Sequence, residues 1–159
     1  MSEKLATMEP SADLRRRVLA LADPGTRFDG FARRVSRLFD LPDVAVQKLL
    51  AAAAAPAQEP WVDGFAPGMR LYHLQGGEAV ASADCGLVEL AVEASVPDHR
   101  HGGVEQVLVL AGRAEDDSGG VWHPGDLIVS DPGSVHAFRS VGSEPLLFAV
   151  VLEDGLELV

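Results

Sequence analysis

The stretch His99-Arg100-His101-Gly102-Gly103-Val104-Glu105 decides how the chain is to be read, and His136 completes it from far downstream. Side chains alternate along a β-strand, so His99 and His101 share a face. Glu105 has the same parity, and shares that face if the strand resumes after a bend at Gly102-Gly103. Glycines weaken a regular strand but permit a bulge or sharp turn. Imidazoles with one carboxylate suit a first-row metal such as Zn, Fe, Mn, Ni or Cu. A His-x-His pair on its own is as readily a surface accident. With Glu105 four residues on, and His136 inside a Gly/Pro turn, a metal site becomes the stronger reading. The expected ligands are His99, His101, Glu105 and His136, holding one divalent metal ion per chain.

Around this stretch the pattern His99-x-His101-x-x-x-Glu105-x-x-x-x-x-x-Gly112 resembles the first cupin motif. Gly125 with Asp131-Pro132-Gly133-Ser134-Val135-His136 resembles the second. The resemblance implies a mainly β jelly-roll barrel, a double-sheet sandwich, in which two His and a Glu from the first motif and a His from the second hold one metal. There are departures. Glu93 stands where the family has a glycine six residues before the first His. Pro132 comes one place late, and Ser140 stands where an asparagine often closes the motif. None of these positions is a ligand.

The whole of 61–159 is most similar to the ChrR-like cupins. The resemblance rests on Trp61, Gly76-Gly77-Glu78-Ala79-Val80, the run from His99 to Gly112, Pro124-Gly125-Asp126 and Gly133-Ser134-Val135-His136. In ChrR-type anti-sigma factors the cupin domain binds zinc and takes part in sensing oxidative stress. A separate N-terminal domain there holds the sigma factor through a His-x-x-x-Cys-x-x-Cys zinc motif. That motif is absent here, because Cys85 is the only cysteine. The resemblance therefore covers the sensor half, makes zinc the first expectation over Fe, Mn or Ni, and implies a homodimer.

Composition narrows the classes. The chain has 159 residues, 47% of them hydrophobic, enough for one domain with a core and a small appendage. No apolar run approaches the roughly 20 residues of a membrane span, and Met1-Ser2-Glu3-Lys4 does not open a signal peptide. With one cysteine no intrachain disulfide forms, so a cytoplasmic location is expected. Cys85 reads as a small buried hydrophobe. Residues 1–60 carry nine Lys/Arg against eight Asp/Glu, and residues 61–159 carry four against sixteen. So acidic a region does not favour nucleic acid.

Residues 1–56 read as a helical segment of two to three helices and 57–159 as the barrel. Ser11 caps a first helix with Leu14, Val18 and Leu21 on one face. A second runs from about Arg27 to Phe39, its buried stripe formed by Phe28, Phe31, Val35, Leu38 and Phe39. Asp40 is expected to cap a third helix with Pro42 in its first turn, and Ala51–Ala55 carries that helix to Pro56. Arg33, Arg34 and Arg37 lie away from the stripe. A helix-turn-helix meeting phosphate is disfavoured by the offsetting acids. Packing on the barrel is the plainer role, and a regulatory protein partner for these helices the sharper one. Trp61 and Phe65 are expected to anchor the proline-rich linker.

From Met69 onward the period is that of strands: Met69–Leu74, Cys85–Val92, Glu105–Leu110, Val121-Trp122, Leu127–Val129, Ala137–Val141 and Leu146–Leu152, with turns at Gly76-Gly77, Asp116–Gly120 and His123–Asp126. Short, regularly spaced strands argue a sandwich or barrel. His73 reads as a core or surface histidine and His123 as a loop residue. Glu89, Arg100, Trp122 and Phe138 are candidates for the pocket wall. Two functions follow: a metal-binding sensor or regulatory module, or a small metal-dependent oxygenase with a small organic substrate in the barrel.

Overall fold

The computed structural model describes residues 27–56 and 60–159. The first expected helix, around Ser11 to Leu21, lies outside them. Two helices are present among the described residues. A 3-10 turn at Asp29–Phe31 leads into α1 (Ala32–Phe39), and α2 spans Asp43–Ala53. Gly30, a poor helix former, sits in the 3-10 turn, so the regular helix starts later than the apolar spacing alone implies.

Asp40 does not cap α2. It ends α1 in the left-handed conformation (φ 52°), and extended Pro42 occupies the cap position of α2 instead. The Asp40 carboxylate accepts the N–H of Ala79 at 3.0 Å, and the N–H of Gly77 donates to the carbonyl of Phe39 at 2.8 Å. The corner between the helices is thereby fastened to the Gly76–Val80 loop.

Among the described residues, eleven strands form two antiparallel sheets. β1 (Val62–Asp63), β2 (Met69–Leu74), β3 (Asp84–Leu90), β10 (Leu146–Leu152), β5 (Glu105–Ala111) and β8 (Leu127–Ser130) lie side by side in that order. β11 (Leu156–Leu158), β4 (Ser95–His101), β9 (Val135–Val141), β6 (Arg113–Asp116) and β7 (Val121–Trp122) make the other sheet. This is the expected jelly roll. Four of the strands, β1, β4 as a full strand, β6 and β11, were not separable in the sequence from turn or charged segments.

The central strands β3, β10 and β5 of the six-stranded sheet are buried on both faces, and alternation sorts their side chains. Val107, Val109, Leu146, Phe148, Val88 and Leu90 point between the sheets. Leu108, Leu110, Leu147, Ala149, Cys85 and Leu87 point the other way, into one cluster with Phe28, Val35, Phe39, Val46, Leu49 and Leu50 of the helices. The helices thus close the back of this sheet. Each fully buried large aliphatic or aromatic side chain in that layer contributes about 1.5–3 kcal/mol. Trp61 is part of it. Its ring meets Tyr72 edge-on at 5.7 Å, and its indole N–H donates to the carbonyl of Ala52 at 3.2 Å. Phe65, expected to share in this anchoring, is half exposed at the opposite side of the sheet.

Candidate metal centre

His99 and His101 lie on β4 and point between the sheets, each about 1% exposed. His136 sits opposite His99 in the register of β4 with β9. Glu105 does not continue their strand. It opens β5 in the facing sheet, paired with Leu152 and Ser130. The Gly102-Gly103 bend is therefore a crossing between sheets, not a bulge within one. The Glu153–Gly155 turn presses on it. A Cβ at Gly103 would stand 2.7 Å from the carbonyl oxygen of Glu153, and one at Gly102 would collide with that of Asp154. Parity put Glu105 on the correct side because both sheets turn their inner faces to the same space.

The four side chains bring one donor atom each to within 4.8 Å of one another, and they could bind one metal ion. The His99 and His136 Nε2 atoms are 3.0 Å apart, and the His101 Nε2 is 3.2 Å from Oε2 of Glu105. The outer nitrogens explain this. Nδ1 of His99 lies 2.9 Å from the carbonyl of Pro97. Nδ1 of His101 lies 3.2 Å from the carbonyl of Ser134 and 3.0 Å from its hydroxyl oxygen, while that hydroxyl itself donates to the carbonyl of Asp131. A carbonyl only accepts, so both Nδ1 atoms carry the proton and donate. The Nε2 lone pairs of the two neutral rings then aim inward, one of them at a carboxylate oxygen. Converging acceptors need a cation among them, either a proton or a metal. Outer-nitrogen hydrogen bonds of this kind are how metal-ligating histidines are oriented. The residues present fit a divalent metal.

Burial sets the electrostatics. Desolvation pushes the Glu105 carboxyl up to about 7, against the pull of His99. Desolvation, and then the neighbouring His99 and His101, push His136 down to about 4. Burial also lowers His101. Without a metal, the pocket favours neutral groups on both sides.

Trp122 tilts over His136 with ring centroids 6.0 Å apart, and Phe138 packs on both. The Trp122 indole N–H donates to Asp116 at 3.2 Å, and Asp116 also collects the N–H groups of Ser118 and Gly120. Phe138 lines the internal cavity as expected. Glu89 and Arg100 do not: alternation turns them to the outer faces, Glu89 beside Arg70 in register and Arg100 opposite Glu157. His123 lies in the turn before β8, as read from the sequence. Cys85 is buried against the helices, and burial raises its thiol. His73 is exposed and stands at the rim of the cavity, a place that its apolar neighbours in sequence did not signal.

The fold is shared with solved proteins of low identity. A chain of the Rhodobacter sphaeroides complex of SigE with the anti-sigma ChrR superposes with a TM-score of 0.56 at 18% identity, covering 95% of this chain and 71% of that one. Acetylacetone dioxygenase from Acinetobacter johnsonii gives 0.53 at 15%, covering 62% and 71%. The DMSP lyase DddQ from Ruegeria pomeroyi gives 0.52 at 23%, covering 73% and 68%. No curated protein matches the chain. Residues 51–153 match the family model described as the ChrR cupin-like domain. With its two sheets and inward-facing histidines, this chain belongs to the ChrR cupin-like family.

Proposed function

We propose that His99, His101, Glu105 and His136 hold one divalent metal ion, zinc in the first place, and that the protein is a regulatory module that reports the state of this centre through its N-terminal helices. One observation carries the reading: the helices and the metal donor Glu105 use opposite faces of the same strands. Glu105 points inward from β5, while Leu108 and Leu110 of that strand point outward into the cluster with Phe39, Val46 and Leu50. A shift of β5 on metal loading moves the surface on which the helices rest. The Asp40–Ala79 and Phe39–Gly77 hydrogen bonds give the same helices a second hold on the barrel.

Four protein donors fill a tetrahedral zinc site, which suits structure or sensing more than turnover. Likeness to the anti-sigma ChrR complex supports a regulatory protein partner. Exposed Arg33, Arg37 and Val44 on α1 and α2 are the surface offered to it. A homodimer and a cytoplasmic setting belong to the same reading. Among the described residues no helix is long and apolar enough to cross a membrane.

A second reading, a small metal-dependent oxygenase, is favoured by a cavity of about 250 Å³ that has His99 and Glu105 in its wall. Likeness in fold to the acetylacetone dioxygenase agrees with it. There a bound iron or manganese would supply Lewis acidity and open coordination positions. His99 and Glu105 would face the substrate, and the apolar wall would exclude water.

Plasma mass spectrometry on protein purified anaerobically without added metal decides between them. About one equivalent of zinc, with no oxygen uptake after reconstitution with ferrous iron, supports the regulatory module. Iron or manganese with oxygen uptake moves the assignment to the oxygenase. Unchanged metal content in both His99→Ala and His136→Ala would sink the metal site.

A further inference from the structure

The layer of helices behind the six-stranded sheet stops one strand short of its edge. On β5, Leu108 points into that layer and is 1% exposed. Its register partner on β8 is Leu127, and Val129 stands opposite Gln106. Directly opposed residues share a face of a sheet, so Leu127 and Val129 turn to the same outer side as Leu108. They are nevertheless 49% and 57% exposed. Ile128, between them, packs against the inner cluster. β8 is also the edge of its sheet. An edge strand with two large aliphatic side chains on its open face is a surface that invites a cover.

The chain itself supplies one. Arg27, where the described residues begin, is ion-paired with Glu144 in the loop between β9 and β10, and Phe28 is already buried in the helical layer. Arg34 of α1 donates to the carbonyl of Gly125, in the turn that enters β8. The helical layer therefore borders the open strip, and residues 1–26 depart from beside it. β10 and β8 are two strand spacings apart, about 10 Å, and the five residues Ala22–Thr26 can span up to about 17 Å. Before them, Leu14, Val18 and Leu21 are spaced as one helical stripe. A helix over Ala12–Leu21 is about 15 Å long, and the four residues of β8 about 13 Å. At about 100° per residue, Arg15 and Arg17 flank the stripe on its two sides and Arg16 faces away. β8 is bounded in turn by exposed Asp126 at one end and exposed Asp131 at the other. The same two carboxylates oppose a second copy. Two β8 strands paired antiparallel would set Asp126 of each against Asp131 of the other, in a chain of net charge −11.

We infer that residues 11–21 form a third helix of the layer, with Leu14, Val18 and Leu21 seated on Leu127 and Val129 of β8 and with Arg15 and Arg17 directed to Asp126 and Asp131. The contact lies on the back of the sheet and does not depend on the metal. Ser130 of β8 pairs with Glu105, so the docked segment braces the strand that carries the carboxylate from its open side.

Limited trypsin digestion of the full chain, read by intact mass, tests this. Arg15, Arg16 and Arg17 are cleavage sites within the segment, and Lys4 lies outside it as an internal reference. In the parent, cleavage after Arg15, Arg16 and Arg17 is expected to be slower than cleavage after Lys4. In Leu127→Asp it is expected to be about tenfold faster than in the parent, because the population of the opened segment sets the rate. Leu127 is an exposed position, so melting temperature and metal content should change little. Val129→Asp makes the same test from a second position should Leu127→Asp fail to fold, and Val18→Asp makes it from the side of the segment. Cleavage as fast in the parent as in Leu127→Asp and Val129→Asp overturns the inference. So does a parent dimer that becomes a monomer in Leu127→Asp by light scattering while cleavage stays the same, which assigns the strip to a second copy.

Discussion

Glu105 is the residue at which burial and chemistry meet. In the metal-free fold its carboxyl stays protonated up to about 7, whereas in the unfolded chain it ionises near 4.5. Its contribution to stability is therefore present below pH 4.5 and lost as the pH rises through 7. His136 has the opposite sign. Depressed to about 4 from 6.5, it contributes above pH 6.5, and that contribution is lost as the pH falls through 4. The Glu105 rise corresponds to about 3 kcal/mol. After chelation, Glu105→Gln is expected to be more stable than the parent at pH 8 by up to that amount, and no more stable at pH 4, in urea denaturation. The same variant should take up metal more weakly. His99→Ala and His136→Ala should lose nearly all bound metal and melt lower, since a metal that binds only the folded state stabilises it. Glu93 makes a different point. It holds the left-handed conformation (φ 63°) at the position where the family places glycine, which costs a non-glycine residue about 1–2 kcal/mol. Part of that is offset in a Glu93→Gly variant by the greater entropy of the unfolded chain and by loss of the exposed Arg139 contact at 3.7 Å. A net gain of about 0.5–1 kcal/mol in denaturant unfolding is expected.

At the scale of elements, the crossing at Gly102-Gly103 holds the centre together. It delivers His101 from one sheet and Glu105 from the other within four residues, and the Glu153–Gly155 turn leaves no room for a side chain there. Gly103→Ala should move β5 against β4. Lower metal affinity in competition with a chelator, together with destabilisation of about 1–3 kcal/mol, is the expected result. The helices obey the alternation of the sheet beneath them. Phe39 is fully buried between them and the back of β3, β10 and β5. Phe39→Ala should cost about 3–5 kcal/mol, with metal content retained in the fraction that folds.

For the molecule as a whole, the helical layer covers the outer face of the six-stranded sheet. Removal of residues 1–56 would expose Cys85, Leu87, Leu108, Leu110, Leu147 and Ala149 together. Such a patch drives association, so the truncated protein is expected to elute as an aggregate or oligomer in size exclusion. A monomer with native stability would show the layer to be dispensable. Much of this architecture could be read before any coordinates. Strand parity placed His99, His101 and Glu105 on one side, and the Gly/Pro turn with its resemblance to the second cupin motif added His136, because a metal demands particular donor types. Period and turn residues were enough for the central strands, since Leu146–Leu152 and Met69–Leu74 are dense in β-branched and large apolar side chains. The rest needed the third dimension. β4 carries Pro97 and Asp98, so only its His99–His101 end reads as strand until its bulge is paired with β9. Asp40 looks like a helix cap until the N–H of Ala79 is seen to claim its carboxylate and that of Gly77 the carbonyl of Phe39 before it. Glu105 and the two histidines before it look like one strand until the sheets are assembled. Local sequence carries propensity and parity, which set the donors and the face of each strand. Which strands face one another, what lies behind a sheet and how much space is left between the sheets depend on contacts between residues far apart in the chain, and those exist only in the folded protein.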